Sequence, residues 1–211
     1  MQMLYPRSVS IQQYVEQADD PGACRPARCP QCETKEPMTA HGFYNRTIVD
    51  AAFDGVIRVR RYLCTRCRRT VSLLPEWALP YVRFSIPVIA RVLKARLMES
   101  LAWEAVAAMP YQRGQYWVRR FIKQAVGLSA ALQALTEGTP ALSFVSRALG
   151  MLEKTGWIEA HRFLFQDLRM HLLGWGCSLA PHGRRVSVNT ASRLVGVVPH
   201  STCMETEVPS G

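Results

Sequence analysis

Cys29-Pro30-Gln31-Cys32 and Cys64-Thr65-Arg66-Cys67 are the two stretches on which the reading of this chain turns. Each places two thiolates on one tight turn, and two such turns facing each other make a tetrahedral four-sulfur site. That is the ligand set Zn²⁺ takes when its role is structural. It leaves no position for a substrate water, so a Zn²⁺ ion on Cys29, Cys32, Cys64 and Cys67 is expected to hold a fold together rather than do chemistry.

The segments around the cysteine turns read as strands. Met38–Val49 and Val56–Leu63 carry the composition and alternation of a hairpin, and Asp54-Gly55 between them predicts its tight turn. In the second strand Ile57, Val59 and Leu63 fall on one face, interrupted by Arg61, while Arg58, Arg60 and Tyr62 fall on the other. A third strand, Thr70–Leu74, follows the second cysteine turn and is closed by Pro75. A hairpin clipped by metal at its base, with one more strand, is a zinc ribbon, here spanning 28–80. An N-terminal arm, 1–27, precedes it and holds a short helix over 8–18 capped by Ser8 or Ser10.

After Pro80 the apolar period changes to 3.6. Helices are predicted over 86–98, with Pro87 in the first turn, over 101–108, capped by Ser100, and over 113–126. In the third, Trp117, Val118, Phe121, Ile122, Ala125 and Val126 make a packing stripe. Gln115, Arg119, Arg120, Lys123 and Gln124 fill the opposite face. A short helix, a turn and a basic amphipathic helix match a helix-turn-helix over 81–128, although a plain small bundle shows the same pattern. Helices over 142–154 and 157–173, the latter with Leu164, Leu168 and Leu172 on one side, complete the bundle or pair two copies within 129–176. Residues 177–211 have no lasting period and read as a poorly ordered tail with one short strand in its middle. The expected fold class is therefore α+β: a small β zinc ribbon followed by an all-helical helix-turn-helix bundle.

The charge points to a partner. The formal net charge is +10, and 22 of the 26 basic residues are arginine, which binds phosphate and guanine edges bidentately and stacks on bases. That bias favours nucleic acid. No apolar run is long enough for a membrane span, so no membrane partner is expected. The first twenty residues lack the pattern of a signal peptide. Seven cysteines, four of them in C-x2-C steps, fit metal-bound thiolates in a reducing cytoplasm better than a secreted disulfide scaffold.

Single residues sort as follows. Cys24 is a spare thiol, because the two steps already complete the site. His41 is structural or touches phosphate. Cys177, His182, His200 and Cys203 have spacings that match no common zinc module. Trp103 and Trp117 belong to the core. Tyr62 and Tyr116 either stack on a base or shield the core rim.

The run CPQC, then HGFYNR, then RVRRYLCTRCRRTVSLLPEW resembles the zinc ribbons at the N-termini of bacterial transposases. It looks closest to an uncharacterised bacterial family in which such a ribbon precedes a transposase-type helix-turn-helix. YVEQADDPGACRPARC and SLAWEAVAAMPYQRGQYWVRRFIK fit the same family, so the resemblance covers roughly residues 10–128. It implies zinc on Cys29, Cys32, Cys64 and Cys67 and DNA contact by the third helix. Glu33 and Arg68 stand where such turns usually place glycine, which implies some strain. The acidic residues beyond 128 are too few, and the segment too short, for a transposase nuclease domain.

The expectation is a non-enzymatic, cytoplasmic, nucleoid-associated protein that binds double-stranded DNA at specific sequences or transposon ends. Arg58, Arg60 and Arg61 grip phosphates; Arg113, Gln115, Tyr116 and Arg119 reach bases or flanking phosphates, with Arg120 and Lys123 further along the same helix. Two alternatives stay open: an adaptor that docks on a transposase or transcription complex or pairs with itself as a dimer, and a truncated transposase.

Overall fold

Period-two alternation along residues 39–63 produces the longest strand pair among the described residues. A computed structural model describes residues 1–5, 9–17, 24–106, 110–138 and 140–174. In it β1 (Gln2–Leu4), β2 (Thr39–Asp50), β3 (Phe53–Leu63) and β4 (Thr70–Leu74) form one four-stranded sheet in the order β1-β4-β3-β2. β2–β3 and β3–β4 are antiparallel, and β1 runs parallel to β4, a pairing the sequence pattern did not suggest. The tail beyond 174, with the strand expected there and Cys177, His182, His200 and Cys203, lies outside the described residues, as does Ser8.

The hairpin turn is not at Asp54-Gly55. Asp50 pairs with Phe53, so the chain reverses at Ala51-Ala52, and Asp54 and Gly55 lie inside β3 opposite Val49 and Ile48. Gly55 is there for a different reason than φ. The Phe53 ring lies across it, and a Cβ would meet that ring at 2.9 Å. Nearer the cysteines, His41 and Gly42 together oppose Arg61, a β-bulge that Gly42 accommodates at φ 75°.

Alternation gives the sheet two apolar faces. One carries Ile48, Ile57, Val59 and Leu74 and packs against Leu4, Ile11, Tyr14, Trp77 and Phe165. The other carries Tyr62, Val71 and Leu73 and packs against Met38 and the cysteine turns. Tyr14, on α1 (Ile11–Gln17), donates its hydroxyl to Arg58 O at 3.2 Å. Ser10 caps that helix in a reciprocal box: Gln13 N–H donates to Ser10 Oγ at 3.2 Å, and Ser10 N–H donates to Gln13 Oε1 at 3.0 Å.

Residues 73–80 are buried without interruption, and their polar groups find partners from several elements. Arg46 on β2 donates to Leu79 O and to Val82 O. His171 Nε2 donates to Pro80 O at 3.1 Å, with Leu173 N–H donating to Nδ1 at 3.0 Å, which fixes the neutral tautomer. Arg162 bonds the buried Glu76 at 2.5 Å. This stretch joins the sheet to the helices.

Two of the longer helices start at serine caps, and the helices differ from expectation in three places. α2 (Ile86–Leu97) is capped by Ser85, and α4 (Phe144–Thr155) by Ser143. Instead of a helix over 101–108 there is a 3₁₀ turn at Trp103–Ala105, with 107–109 outside the described residues. Ser100 cannot cap it, because its φ of 55° belongs to the end of α2. α5 runs only from Trp157 to Gln166, because Arg169 at φ 55° closes it in the same way. Leu164 and Leu172 are therefore buried from different segments rather than along one helix face.

α3 (Tyr111–Leu132) is longer than expected, and its buried face is rotated. Trp117, Phe121 and Ala125 are buried, but Ile122 and Val126 are exposed and Gln124 is covered. The cover is the segment ending at Gly174, where a Cβ would meet the Gln124 side chain at 2.3 Å. Trp117 packs edge-on to Phe84 at 5.1 Å.

Candidate metal centre and basic face

The two cysteine turns are built alike. Glu33 N–H bonds Cys29 O at 2.8 Å and Cys29 N–H bonds Thr34 O at 3.0 Å; Arg68 N–H bonds Cys64 O and Cys64 N–H bonds Arg69 O, both at 2.9 Å. Glu33 and Arg68 take φ of 56° and 57°, as the missing glycines implied. This geometry directs both sulfurs of each turn to one point. The thiol sulfurs of Cys29, Cys32, Cys64 and Cys67 all lie within 4.8 Å of one another. Cys29–Cys67 and Cys32–Cys64 stand at 3.6 Å. Sulfurs about 2.3 Å from a central Zn²⁺ would be roughly 3.8 Å apart in a regular tetrahedron, so the four thiols fit such an ion.

The closeness of the sulfurs also shows in the electrostatics of three of them, Cys32, Cys64 and Cys67. Burial resists charge on Cys64, yet the Cys67 backbone and the neighbouring thiols bring it down to about 7. Burial, with the competing thiols of Cys64, Cys29 and Cys32, pushes Cys67 up to about 12. Cys32 is raised as well: a backbone bond at Thr34 favours its thiolate, but burial and the Cys64 and Cys29 thiols outweigh it. Four sulfurs this close cannot all ionise unaided, and a divalent cation is what allows it. Cys24 is buried beside this cluster but is not one of the four, and His41 is exposed in the bulge, away from the ligand set.

The arginines of β3 divide between two faces. Arg58 and Arg60 flank Phe43, with guanidinium carbons 4.3 and 4.5 Å from its ring centre. Arg60 also lies over Tyr62, which is fully buried and so belongs to the core of the metal turns rather than to a contact surface. Arg61 points to the opposite face, and its Nη2 donates to Phe43 O at 3.5 Å. Phe43 was missed in the sequence because only the strand register, Phe43 opposite Arg60, reveals the stack. Arg66, Arg68 and Arg69 are exposed on the second metal turn.

Along α3, Arg113, Arg119 and Lys123 are exposed. Gln115 donates to the Tyr111 hydroxyl, and Tyr116 packs against the helical core. Arg120 is engaged within the fold, donating to Leu173 O at 2.9 Å and to Gly174 O. Trp103 is half-buried, under Arg96 at 4.6 Å and edge-on to Tyr111. None of the helices in the described residues is long and apolar enough to cross a membrane.

Comparison with known proteins gives one match. No curated protein and no solved structure matches the chain. Residues 29–111 match the model of a family described as Domain of unknown function (DUF6431). The matched stretch opens on the first of the four clustered thiols and closes on the first residue of α3, so it takes in the cysteine turns, the hairpin, the buried connector and α2, and this part of the chain is similar to that uncharacterised family.

Proposed function

We propose that this chain is a double-stranded-DNA-binding protein of the transposase-targeting type, with Zn²⁺ on Cys29, Cys32, Cys64 and Cys67 in a purely structural role. The observation that carries the reading is the Arg58–Phe43–Arg60 stack on one face of a hairpin whose base ends in the metal turns. Stacking on Phe43 limits the rotamers of two long side chains, so less entropy is lost when they meet phosphate. The exposed Arg66, Arg68 and Arg69 extend the same positive surface around the second metal turn.

α3 supplies the second contact. Arg113, Arg119 and Lys123 face solvent on a helix that contains no acidic residue. In a helix-turn-helix reading α2 and α3 are the paired helices, joined by a connection longer than the usual 3–4 residues. Arg119 would then read bases while Arg58 holds backbone.

Titrating labelled duplex DNA against the zinc-loaded protein at rising salt tests the proposal. Affinity is expected to fall by at least about tenfold between 50 and 200 mM salt. Binding that is flat across that range would overturn the reading. Arg58→Ala should weaken all sequences alike and Arg119→Ala should relax sequence preference.

A further inference from the structure

In α3 the packing inverts the helix's own apolar pattern. On the inside, Gln124 is covered and Arg120 is engaged by the carbonyls of Leu173 and Gly174. On the outside, Ile122 and Val126 remain 47% and 59% exposed. Folding alone favours the opposite choice, because burying aliphatic surface is favourable and burying polar groups is not. Positions where a chain departs from its own pattern are where function competes with folding.

Arg119, Ile122, Lys123 and Val126 follow the spacing i, i+3, i+4, i+7, so they share one stripe, and all four are exposed. The stripe lies opposite Trp117, Phe121 and Leu128, which anchor the helix to the core. It interleaves cations with stiff, branched aliphatic side chains. Among the described residues neither Arg119 nor Lys123 has an ion-pair partner, and α3 contains no acidic residue. The complementary surface is therefore anionic and also offers small apolar groups between its charges. The major groove of duplex DNA supplies both: phosphates and guanine edges for the cations, thymine methyl groups for the aliphatic side chains. Arg119 and Ile122 stand about 4.5 Å apart along the helix axis, close to the ~3.4 Å spacing of successive bases, so adjacent side chains on the stripe can meet adjacent base pairs.

We infer that Ile122 and Val126 are specificity-determining residues that pack on the C5-methyl groups of thymines beside the base read by Arg119, an assignment that rests on the proposed DNA binding and deepens it.

The test starts from a randomised duplex pool selected on the zinc-loaded full chain. Each thymine of the recovered duplex is then replaced singly by deoxyuridine, which removes the methyl group and nothing else. At one or two positions the replacement is expected to weaken wild-type binding about three- to fivefold, the effect of burying one methyl group. The double variant Ile122→Ala, Val126→Ala should lose that sensitivity while keeping the salt slope, because no phosphate contact is removed. Its Tm should hold or rise slightly, since both sites are exposed and alanine is the better helix former. A clear fall in Tm would mean that the pair packs within the fold and would overturn the inference. So would wild-type binding indifferent to every deoxyuridine, or a variant as sensitive as the wild type. Indifference to deoxyuridine together with altered self-association of the variant in sedimentation would reassign the stripe to a protein contact and overturn it as well. If binding is salt-sensitive but ignores the methyl groups, only this assignment falls; if the wild type shows no salt-sensitive binding to the pool, the DNA reading falls with it.

Discussion

Three of the four clustered thiols differ in their readiness to ionise. Cys32 and Cys67 are held protonated by burial and by their neighbours, whereas Cys64 ionises near neutrality. Zn²⁺ uptake at pH 7.5 should therefore release at least two protons per ion, measurable with a pH indicator in weak buffer. Release of one proton or fewer would mean that the four sulfurs do not bind as thiolates. By the same linkage, metal affinity rises with pH, and Cys64→Ser, which deletes the most acidic of the shifted thiols, should lose Zn²⁺ and β-sheet circular dichroism together. Arg46 is the other residue on which much depends. Arg46→Ala leaves the Val82 carbonyl without its guanidinium donor and Leu79 O with only the 3.3 Å bond from Val82 N–H, at a cost of about 1–3 kcal/mol, read from urea unfolding of the zinc-loaded protein. A change below about 1 kcal/mol would show that water replaces the guanidinium.

At the scale of elements, the hairpin separates what was legible from what was not. The strands, the third strand at Thr70–Leu74, α2 and the metal turns followed from period, caps and spacing, all local signals. The turn was misplaced because Asp-Gly is a turn signal only when glycine is needed for its φ. Gly55 is needed for the space beneath Phe53, and neither residue at Ala51-Ala52 announces a turn. Register, bulge and the Phe43 stack depend on which residues oppose each other across strands, information no single segment holds. The rotated face of α3 has the same origin: residues fifty positions downstream cover Gln124 and Arg120. β1 was illegible because three residues are too few for a period. A double-mutant cycle checks the account of Gly55. Gly55→Ala alone should destabilise by about 1–2 kcal/mol, and much less when Phe53→Ala has already removed the ring. Strict additivity would show that the glycine serves some other need.

For the whole molecule, the buried stretch 73–80 joins sheet to helices, and two buried histidines are expected to lower its stability in acid. His161 is fully buried and neither ring nitrogen has a hydrogen-bond partner; it packs on Phe165 with ring centres 5.5 Å apart. Burial, with His171 nearby, holds it down to about 3. Burial likewise holds His171 at about 4, with the bond to Pro80 O partly opposing and Arg120 and Arg46 adding to the shift. In the unfolded chain both titrate near 6.5, so below that pH the unfolded state binds protons that the folded state refuses. Their contribution to stability is complete above about pH 6.5 and is lost progressively as pH falls toward 4 and then 3. Metal loss in acid acts in the same direction, and a comparison between variants removes it. His161→Leu sacrifices no hydrogen bond and keeps the four thiols, so its Tm should fall less than that of the wild type between pH 7.5 and 5. Parallel Tm-against-pH curves for the two proteins would mean that His161 is not what limits the fold in acid, and that the metal centre alone sets the limit.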